Sequence, residues 1–189
     1  FTLNFLLQII IFFKNKFNET FKFKEPFEYS FHTLLGIIYI GIPVSLLLSI
    51  RNEINGFELL TIIIFGVFVT DTFSFVTGKL IGTRKLAPTI SPSKTWEGAV
   101  GGFLFGSLFT ICVTHVVAVF NNFQLTMLFG FLLATSAQIG DLLESKLKRM
   151  AKVKDTGTLI PGHGGVLDRM DSIILTTVVL YPLIKWGVE

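Results

Sequence analysis

The feature that most constrains how this chain can fold is an apolar run at residues 31–50, where 20 consecutive residues include no charged side chain. At about 1.5 Å per residue, a helix of that length crosses the hydrocarbon core of a bilayer, which requires about 20 apolar residues. Pro43 lies within the run and predicts a kink there. The run therefore predicts a membrane-spanning helix.

Several more apolar runs follow, at residues 57–76, 97–120, 123–143 and 170–188. Only 15% of the 189 residues are charged, whereas a soluble domain carries about 25%. Residues 1–13 are apolar but too short to span, and we interpret them as the remaining half of a spanning helix. The predicted fold class is all-α: a polytopic transmembrane helix bundle with about five full spans and a partial N-terminal one.

The basic residues predict how these spans are oriented. Alternating crossings place the loops 14–30, 79–95 and 146–169 on one side, and these loops hold 14 of the 16 Lys and Arg residues. Only Arg51 and Lys185 fall on the other side. Because Lys and Arg concentrate in cytoplasmic loops, the first side is predicted to be cytoplasmic. The two most polar loops then share one face of the membrane.

The most polar stretch of the chain, residues 145–172, indicates phosphate and metal chemistry. Residues 146–154 contain five basic side chains, which suit phosphates, and a Pro-Gly-His-Gly-Gly turn follows at residues 161–165. Backbone N–H groups of such a turn, together with the helix start after it, can cradle a phosphate. A plain connector explains a glycine-rich turn equally well.

Carboxylates flank this stretch at helical spacing. Asp141 and Ser145 are i, i+4 and share a helix face, which Lys148 extends by another turn, while Asp168 and Asp171 are i, i+3. Two such helix ends meeting at the membrane boundary would bring together carboxylates and a hydroxyl, which suit Mg²⁺. The alternative is a structural ion pair of an aspartate with an arginine or a lysine, for example Asp168 or Asp171 with Arg149 or Arg169.

Two further polar clusters precede this region. One lies at residues 71–79 and contains Asp71 and Lys79. The other lies at residues 91–98 and contains Ser91, Lys94 and Glu97. Lys94 is a candidate phosphate contact, and Glu97 is expected to cap the following helix, because a carboxylate is favourable in a first turn. Three glycines four residues apart follow, and we interpret them as small residues for close helix packing: they are Gly98, Gly102 and Gly106.

These motifs together resemble the phosphatidate cytidylyltransferase (CDP-diacylglycerol synthase) family. The similarity rests on Ser-Lys-Leu-Lys-Arg at residues 145–149, Lys-Asp at 154–155 and Pro-Gly-His-Gly-Gly-Val-Leu-Asp-Arg-Met-Asp at 161–171. Residues 71–82, 85–98 and 140–145 also agree with the family pattern. The resemblance implies one membrane-embedded cytidylyltransferase domain over residues 1–189, lacking the N-terminal helices of the family.

The resemblance also implies a reaction and a site. CTP and phosphatidic acid would give CDP-diacylglycerol and pyrophosphate, with Mg²⁺ as cofactor and a second cation as an option. The implied metal ligands are Asp141, Ser145, Asp168 and Asp171, and the implied catalytic residues are Asp141, Asp168, Asp171, Lys148 and Arg169. The implied substrate-binding residues are Ser91, Lys94, Lys146, Arg149, Lys154, His163, Gly164 and Gly165. Asp71 would position lysines or the second cation.

Other interpretations stay open at this point. A related CTP-dependent enzyme would use an isoprenoid lipid phosphate or a polyprenol, a catalytically inactive paralogue would act as a scaffold, and an ion-coupled transporter would use membrane carboxylates for solute flux. The expected partners are CTP, phosphatidic acid and membrane lipid, with a homodimer left open and no nucleic acid. The expected location is a bacterial inner membrane or an organelle membrane, with the site facing the cytoplasm.

Overall fold

A computed structural model describes residues 26–153, 156, 165 and 167–188, except for the side chains of residues 26–29, 31, 32, 169 and 188. The predictions for residues 1–13 and for Lys154, His163 and Gly164 lie outside the described residues, as does the side chain of Arg169. Five helices and one two-stranded hairpin make up the described part: α1 (Pro26–Arg51), α2 (Gly56–Ile81), β1 (Lys85–Ala87), β2 (Ser91–Thr95), α3 (Trp96–Val116), α4 (Phe123–Met150) and α5 (Leu167–Val188).

The predicted class, an all-α membrane bundle, is confirmed. Within the described residues, four helices have segments long and apolar enough to cross a membrane: Thr33–Arg51, Gly56–Ile81, Trp96–Val116 and Phe123–Met150. Large apolar side chains on these helices, such as Leu48, Phe68 and Leu104, are exposed on the outside of the bundle. They form a surface suited to contact with lipid tails.

The fifth helix, α5, does not meet the same measure, although its run was predicted to be the last full span. It carries buried hydroxyl residues, among them Ser172, Thr176 and Thr177. It packs against α4, α1 and α2, so that neighbouring helices cover much of its surface. A helix covered by other helices can carry polar residues that a lipid-exposed helix cannot.

Two predicted helix ends were placed too early. Helix α2 continues past residue 76 to Ile81, and α4 continues past residue 143 to Met150. Lys79, Lys148 and Arg149 therefore lie on the last turns of helices. Each helix therefore extends beyond its apolar segment, and its last turns carry polar side chains.

The hairpin was not predicted. Strand β1 pairs antiparallel with β2, with Lys85 opposite Thr95 and Ala87 opposite Ser91. The absence of a helix in this segment was expected, because Pro88 and Pro92 disfavour one. The Ile90 N–H donates to the Ala87 carbonyl and closes the turn between the strands. The N-cap of α3 is Thr95, whose hydroxyl accepts from the Gly98 N–H at 3.1 Å. Glu97 lies in the first turn, where its carboxylate was expected, although it is not the N-cap residue.

Close contact between α2 and α3 holds the hairpin in place. A Cβ at Gly98 would lie 2.5 Å from the Ser74 carbonyl oxygen, and one at Gly102 would lie 2.8 Å from the Thr70 carbonyl oxygen. Only glycine fits at such distances, so the interpretation of these glycines as packing residues is confirmed. The buried apolar core continues from α2 through Phe129 and Leu133 of α4 to Leu180 of α5.

Candidate functional site

The hairpin, the last turns of α4 and the first turn of α5 meet at one end of the bundle, which we call the polar end. Three contacts join them: Lys94 with Asp141, Arg149 with the Ile90 carbonyl, and Lys148 with Asp168. The opposite end has an ion pair of its own, at 3.0 Å between Lys185 and Glu53. Of the loops predicted to share one face of the membrane, the two most polar ones therefore meet.

A cavity of ≈ 530 Å³ opens between α2, the hairpin, the start of α3 and α4. Its charged lining residues are Asp71 and Lys79 of α2, Lys94 of the hairpin and Asp141 of α4. Ser91 contributes a hydroxyl to the same wall. The cavity combines cations and carboxylates, as a site for a metal–phosphate substrate requires.

Asp141 is already engaged by a cation from the hairpin. Lys94 Nζ lies 2.6 Å from Asp141 Oδ2, and both side chains are partly exposed to the cavity. Ser145 Oγ lies 3.4 Å from Asp141 Oδ1, so the predicted i, i+4 pairing is confirmed. Three of the predicted site residues, on β2 and α4, thus converge at one point.

A second charged group links α4 to α5. Lys148 Nζ lies 2.5 Å from Glu144 Oε2 and 3.0 Å from Asp168 Oδ1. Asp168 also accepts hydrogen bonds from the backbone N–H and hydroxyl of Thr156 at 2.9 Å and from the Gly165 N–H at 2.7 Å. The alternative expectation, a structural ion pair of an aspartate with an arginine or a lysine, is met for Asp168 by Lys148.

The surroundings of Asp168 keep it ionised. Burial of the Asp168 carboxyl raises its pKa, but hydrogen bonds from the Gly165 N–H, Lys148 and Thr156 outweigh this and lower the pKa from 3.8 to about 2. The group therefore carries its negative charge at neutral pH.

The remaining predicted residues lie around these two groups. Arg149 Nε donates to the Ile90 carbonyl at 3.1 Å, so its side chain anchors the hairpin turn. Lys146 is exposed on the same helix end. Asp171 accepts from the Ser172 N–H at 2.6 Å, while Ser172 Oγ donates to Asp71 Oδ2 at 3.4 Å. The start of α5 therefore touches the wall of the cavity through Ser172.

The predicted metal ligands differ in how well they suit Mg²⁺. Asp141 and Ser145 lie together beside the cavity, and Mg²⁺ usually binds one or two carboxylates, several waters and substrate phosphates. Asp168 already accepts several hydrogen bonds and would have to exchange some of them. In the described part of the chain, no three His, Cys, Asp or Glu side chains form a group that could hold a metal. The donor set fits an ion held jointly by Asp141 and substrate.

Sequence reasoning gave no role to Glu144 or Thr156, both of which contact the charged group of Lys148 and Asp168. Glu144 and Lys148 are i, i+4, a spacing at which opposite charges pair on a helix, so this signal was present. Thr156 carried no such signal, because its contact with Asp168 depends on the path of the chain between α4 and α5.

The fold and this site define a polytopic helical membrane protein whose polar end carries paired charged side chains beside a cavity. Comparison with known proteins agrees: the profile of the cytidylyltransferase family matches residues 2–186. The chain belongs to the cytidylyltransferase family, and it is therefore a nucleotidyltransferase.

Three relatives show which kind of cytidylyltransferase the chain is similar to. The chain is 41% identical over 154 residues to the phosphatidate cytidylyltransferase of Rickettsia conorii, which covers 78% of this chain and 67% of the relative. It is 41% identical over 157 residues to that of Rickettsia bellii, with 79% and 68% covered. It is 39% identical over 147 residues to that of Staphylococcus epidermidis, with 78% and 56% covered.

Proposed function

We propose that this protein transfers the cytidylyl group of CTP to phosphatidic acid, giving CDP-diacylglycerol and pyrophosphate for phospholipid synthesis. The observation that carries the proposal is the cavity at the polar end, where Lys94 meets Asp141 between membrane-spanning helices. Family membership and the named activity of the relatives supply the choice of nucleotide and lipid. The proposed domain is the single membrane-embedded unit over residues 1–189.

The reaction needs little covalent chemistry from the protein. A phosphate oxygen of phosphatidic acid attacks the α-phosphorus of CTP, and the bond from that phosphorus to the bridging oxygen breaks, which releases pyrophosphate. The attacking phosphate is already ionised at neutral pH, so no general base is required. Catalysis then depends on positioning and on neutralising charge, as in other phosphoryl transfers.

The residues of the cavity would divide these tasks. Lys94 and Lys79 would contact the phosphates of CTP, and the hydroxyl of Ser91 would donate to a phosphate oxygen. Asp141, with Ser145, would hold Mg²⁺, which when bound neutralises phosphate charge and helps pyrophosphate to leave. Lys154, Arg169, His163 and Gly164 stay predictions for the same substrates, as do a second cation, a homodimer and the absence of a nucleic-acid partner.

The position of the cavity suits one lipid and one water-soluble substrate. Its wall is formed by membrane-spanning helices, and its rim is formed by the hairpin. Phosphatidic acid would enter sideways from the bilayer, and CTP would enter from the aqueous side, proposed to be the cytoplasm.

The test is an assay of membranes that contain the full-length protein, with labelled CTP, phosphatidic acid and Mg²⁺. Labelled CDP-lipid should form with the wild-type protein, and Asp141→Asn should abolish it. Glu58→Gln, an exposed carboxylate on α2 remote from the cavity, is the control and should leave synthesis unchanged.

Two arms separate the alternatives. An isoprenoid lipid phosphate and a polyprenol are offered in competition with phosphatidic acid, and preference for either would contradict the proposed acceptor. Solute flux into proteoliposomes without CTP turnover would favour a transporter and contradict the proposal.

A further inference from the structure

Glu144 is the most deeply buried carboxylate at the polar end. The residue is 1% exposed and lies on α4, one turn beyond Asp141 and beside Ser145. Its Oε1 atom has no hydrogen-bond donor within the described residues. Its Oε2 atom lies 2.5 Å from Lys148 Nζ. The angles between the two groups are outside those of a hydrogen bond. The contact is therefore an ion pair inside the protein.

Such a carboxylate is expensive to bury alone. An unpaired buried charge destabilises a fold strongly, so removing one partner of a buried pair costs far more than removing both. Lys148 Nζ is the cation that the described residues place against Glu144. The pairing therefore constrains where the Lys148 ammonium can go.

Lys148 makes a second contact that extends this constraint to α5. Its Nζ lies 3.0 Å from Asp168 Oδ1, and its side chain is only 16% exposed. An ammonium has three donors, and two carboxylates already face it. Little of Lys148 is left for a substrate phosphate, which differs from the role expected for it from sequence.

Asp168 in turn contacts the connection between α4 and α5 at two residues. It accepts from Thr156 and from Gly165, which both lie in the connection that leads to α5. A shift of Lys148 would therefore be transmitted through Asp168 to this connection.

We propose that Glu144 is a positioning residue that holds Lys148, so that Lys148 fixes the orientation of Asp168 at the start of α5. Lys148 then acts as a bridge between two carboxylates on two helices, and substrate phosphates are bound by other cations. The kinetic consequence rests on the proposed cytidylyl transfer, whereas the coupling of Glu144 to Lys148 does not depend on it.

The first test is a double-mutant cycle on thermal unfolding of the full-length protein in detergent, with EDTA and without CTP. Glu144→Gln and Lys148→Met should each lower Tm, and the double variant should lose much less than the sum of the two. The control is the matched pair Glu53→Gln and Lys185→Met at the opposite end, where the Lys185 side chain is 50% exposed and the losses should be nearly additive.

Additive losses for Glu144→Gln and Lys148→Met would overturn the proposal. If Lys148→Met does not accumulate in membranes, Lys148→Gln completes the cycle with a side chain that can still hydrogen-bond. Lys148→Arg, which keeps the charge and can bridge two carboxylates, should retain most of the stability.

The second test separates positioning from substrate binding. Glu144→Gln should lower kcat by about tenfold or more while changing KM for CTP by less than about threefold, because no substrate contact is lost. Lys148→Arg should keep part of the kcat that Lys148→Met loses. A rise of more than about tenfold in KM for CTP with unchanged kcat in Lys148→Met would make Lys148 a phosphate ligand and overturn the proposal.

The two proposals fail in different ways. If the wild-type protein makes no CDP-lipid, the proposed function fails, while the unfolding cycle still decides whether Glu144 positions Lys148. If CDP-lipid forms and the cycle is additive, only the positioning role fails.

Discussion

Lysines at the polar end are held by carboxylates in two separate groups. Lys94 pairs with Asp141 at the cavity, and Lys148 pairs with Glu144 and Asp168 between α4 and α5. The two groups differ in exposure, because the first faces the cavity and the second is largely buried. We expect the first group to exchange partners with substrate and the second to keep its partners.

Replacing Lys94 tests the exchangeable group. Lys94→Met should reduce kcat/KM for CTP by about 10- to 100-fold, because a charged hydrogen bond contributes about 1.5–3 kcal/mol and Asp141 is left without its cation. The measurement is CDP-lipid synthesis over a range of CTP concentrations. Lys85→Met, the same change at an exposed residue of the same hairpin, is the control. Equal losses in both variants would contradict a specific role for Lys94.

Asp168 gives a prediction about pH. Its pKa is lowered to about 2 in the folded protein from 3.8, so its ionised form stabilises the fold above about pH 3.8. This contribution should disappear as the pH falls from 3.8 through about 2, because the carboxyl is then protonated in both the folded and the unfolded state. After allowance for solvent screening we expect about 1 kcal/mol.

The measurement compares the free energy of unfolding of wild type and Asp168→Asn across this pH range. The difference should be constant near neutral pH and should shrink between the two pKa values. Glu58→Gln is the control at an exposed carboxylate. A difference that grows on acidification would contradict the assignment.

At the scale of elements, the contact between α2 and α3 sets the position of the hairpin and hence of Lys94. The two helices approach so closely that a Cβ at Gly102 would press on Ser74 Oγ and lie 2.8 Å from the Thr70 carbonyl oxygen. Gly98 meets the Ser74 carbonyl in the same way, three residues after the Thr95 cap. The site therefore depends on small residues that carry no chemistry themselves.

Gly102→Val should lower stability by about 1–3 kcal/mol and reduce activity, because overpacking at this contact pushes α3 away from α2. Thermal unfolding in detergent and CDP-lipid synthesis provide the two measurements. The control is Gly36→Val on α1, where a Cβ would meet nothing within 4 Å. A Gly102→Val variant as stable as the control would contradict the packing role.

The sequence predicted the helices of this bundle better than the hairpin. Long uncharged runs indicate spanning helices because the bilayer requires them, and the glycines spaced by four indicated the face on which α3 packs closely against another helix. The pairing of β1 with β2 was not predicted, because Pro88 and Pro92 exclude a helix in this segment but do not specify strand pairing. The same holds for Arg149, whose partner is a backbone carbonyl in the hairpin, 59 residues away.

The candidate site shows the same limit. The helical spacing predicted that Asp141 and Ser145 share a face, and the i, i+4 spacing of Glu144 and Lys148 carried a similar signal. No spacing indicated that Lys94 of the hairpin would reach Asp141, because that contact requires the tertiary packing of α3 against α4.

For the whole molecule, the arrangement of the two ends supports a single orientation in the membrane. The hairpin, the end of α4 and the start of α5 lie at the polar end, while the turn at residues 52–55 and the end of α5 lie at the other. Basic residues of the described part concentrate at the polar end, on the last turns of α2 and α4 and in the hairpin. If Lys and Arg mark the cytoplasmic side, the cavity opens to the compartment that contains CTP.

Cysteine accessibility tests this orientation in intact cells. The chain has one cysteine, Cys112, which lies on an exposed face of α3 within a membrane-spanning segment, so Cys112→Ser gives a cysteine-free background. In that background, Ile54→Cys in the turn before α2 should react with a membrane-impermeant maleimide added outside. Thr89→Cys in the hairpin turn should react only after the membrane is permeabilised. Both positions are exposed, so a difference in labelling reports the side of the membrane and not burial.

Wild-type Cys112 should stay unlabelled in both conditions, because lipid covers it. Labelling of Thr89→Cys from outside would reverse the orientation and would place the cavity away from the cytoplasmic CTP that the proposed reaction needs.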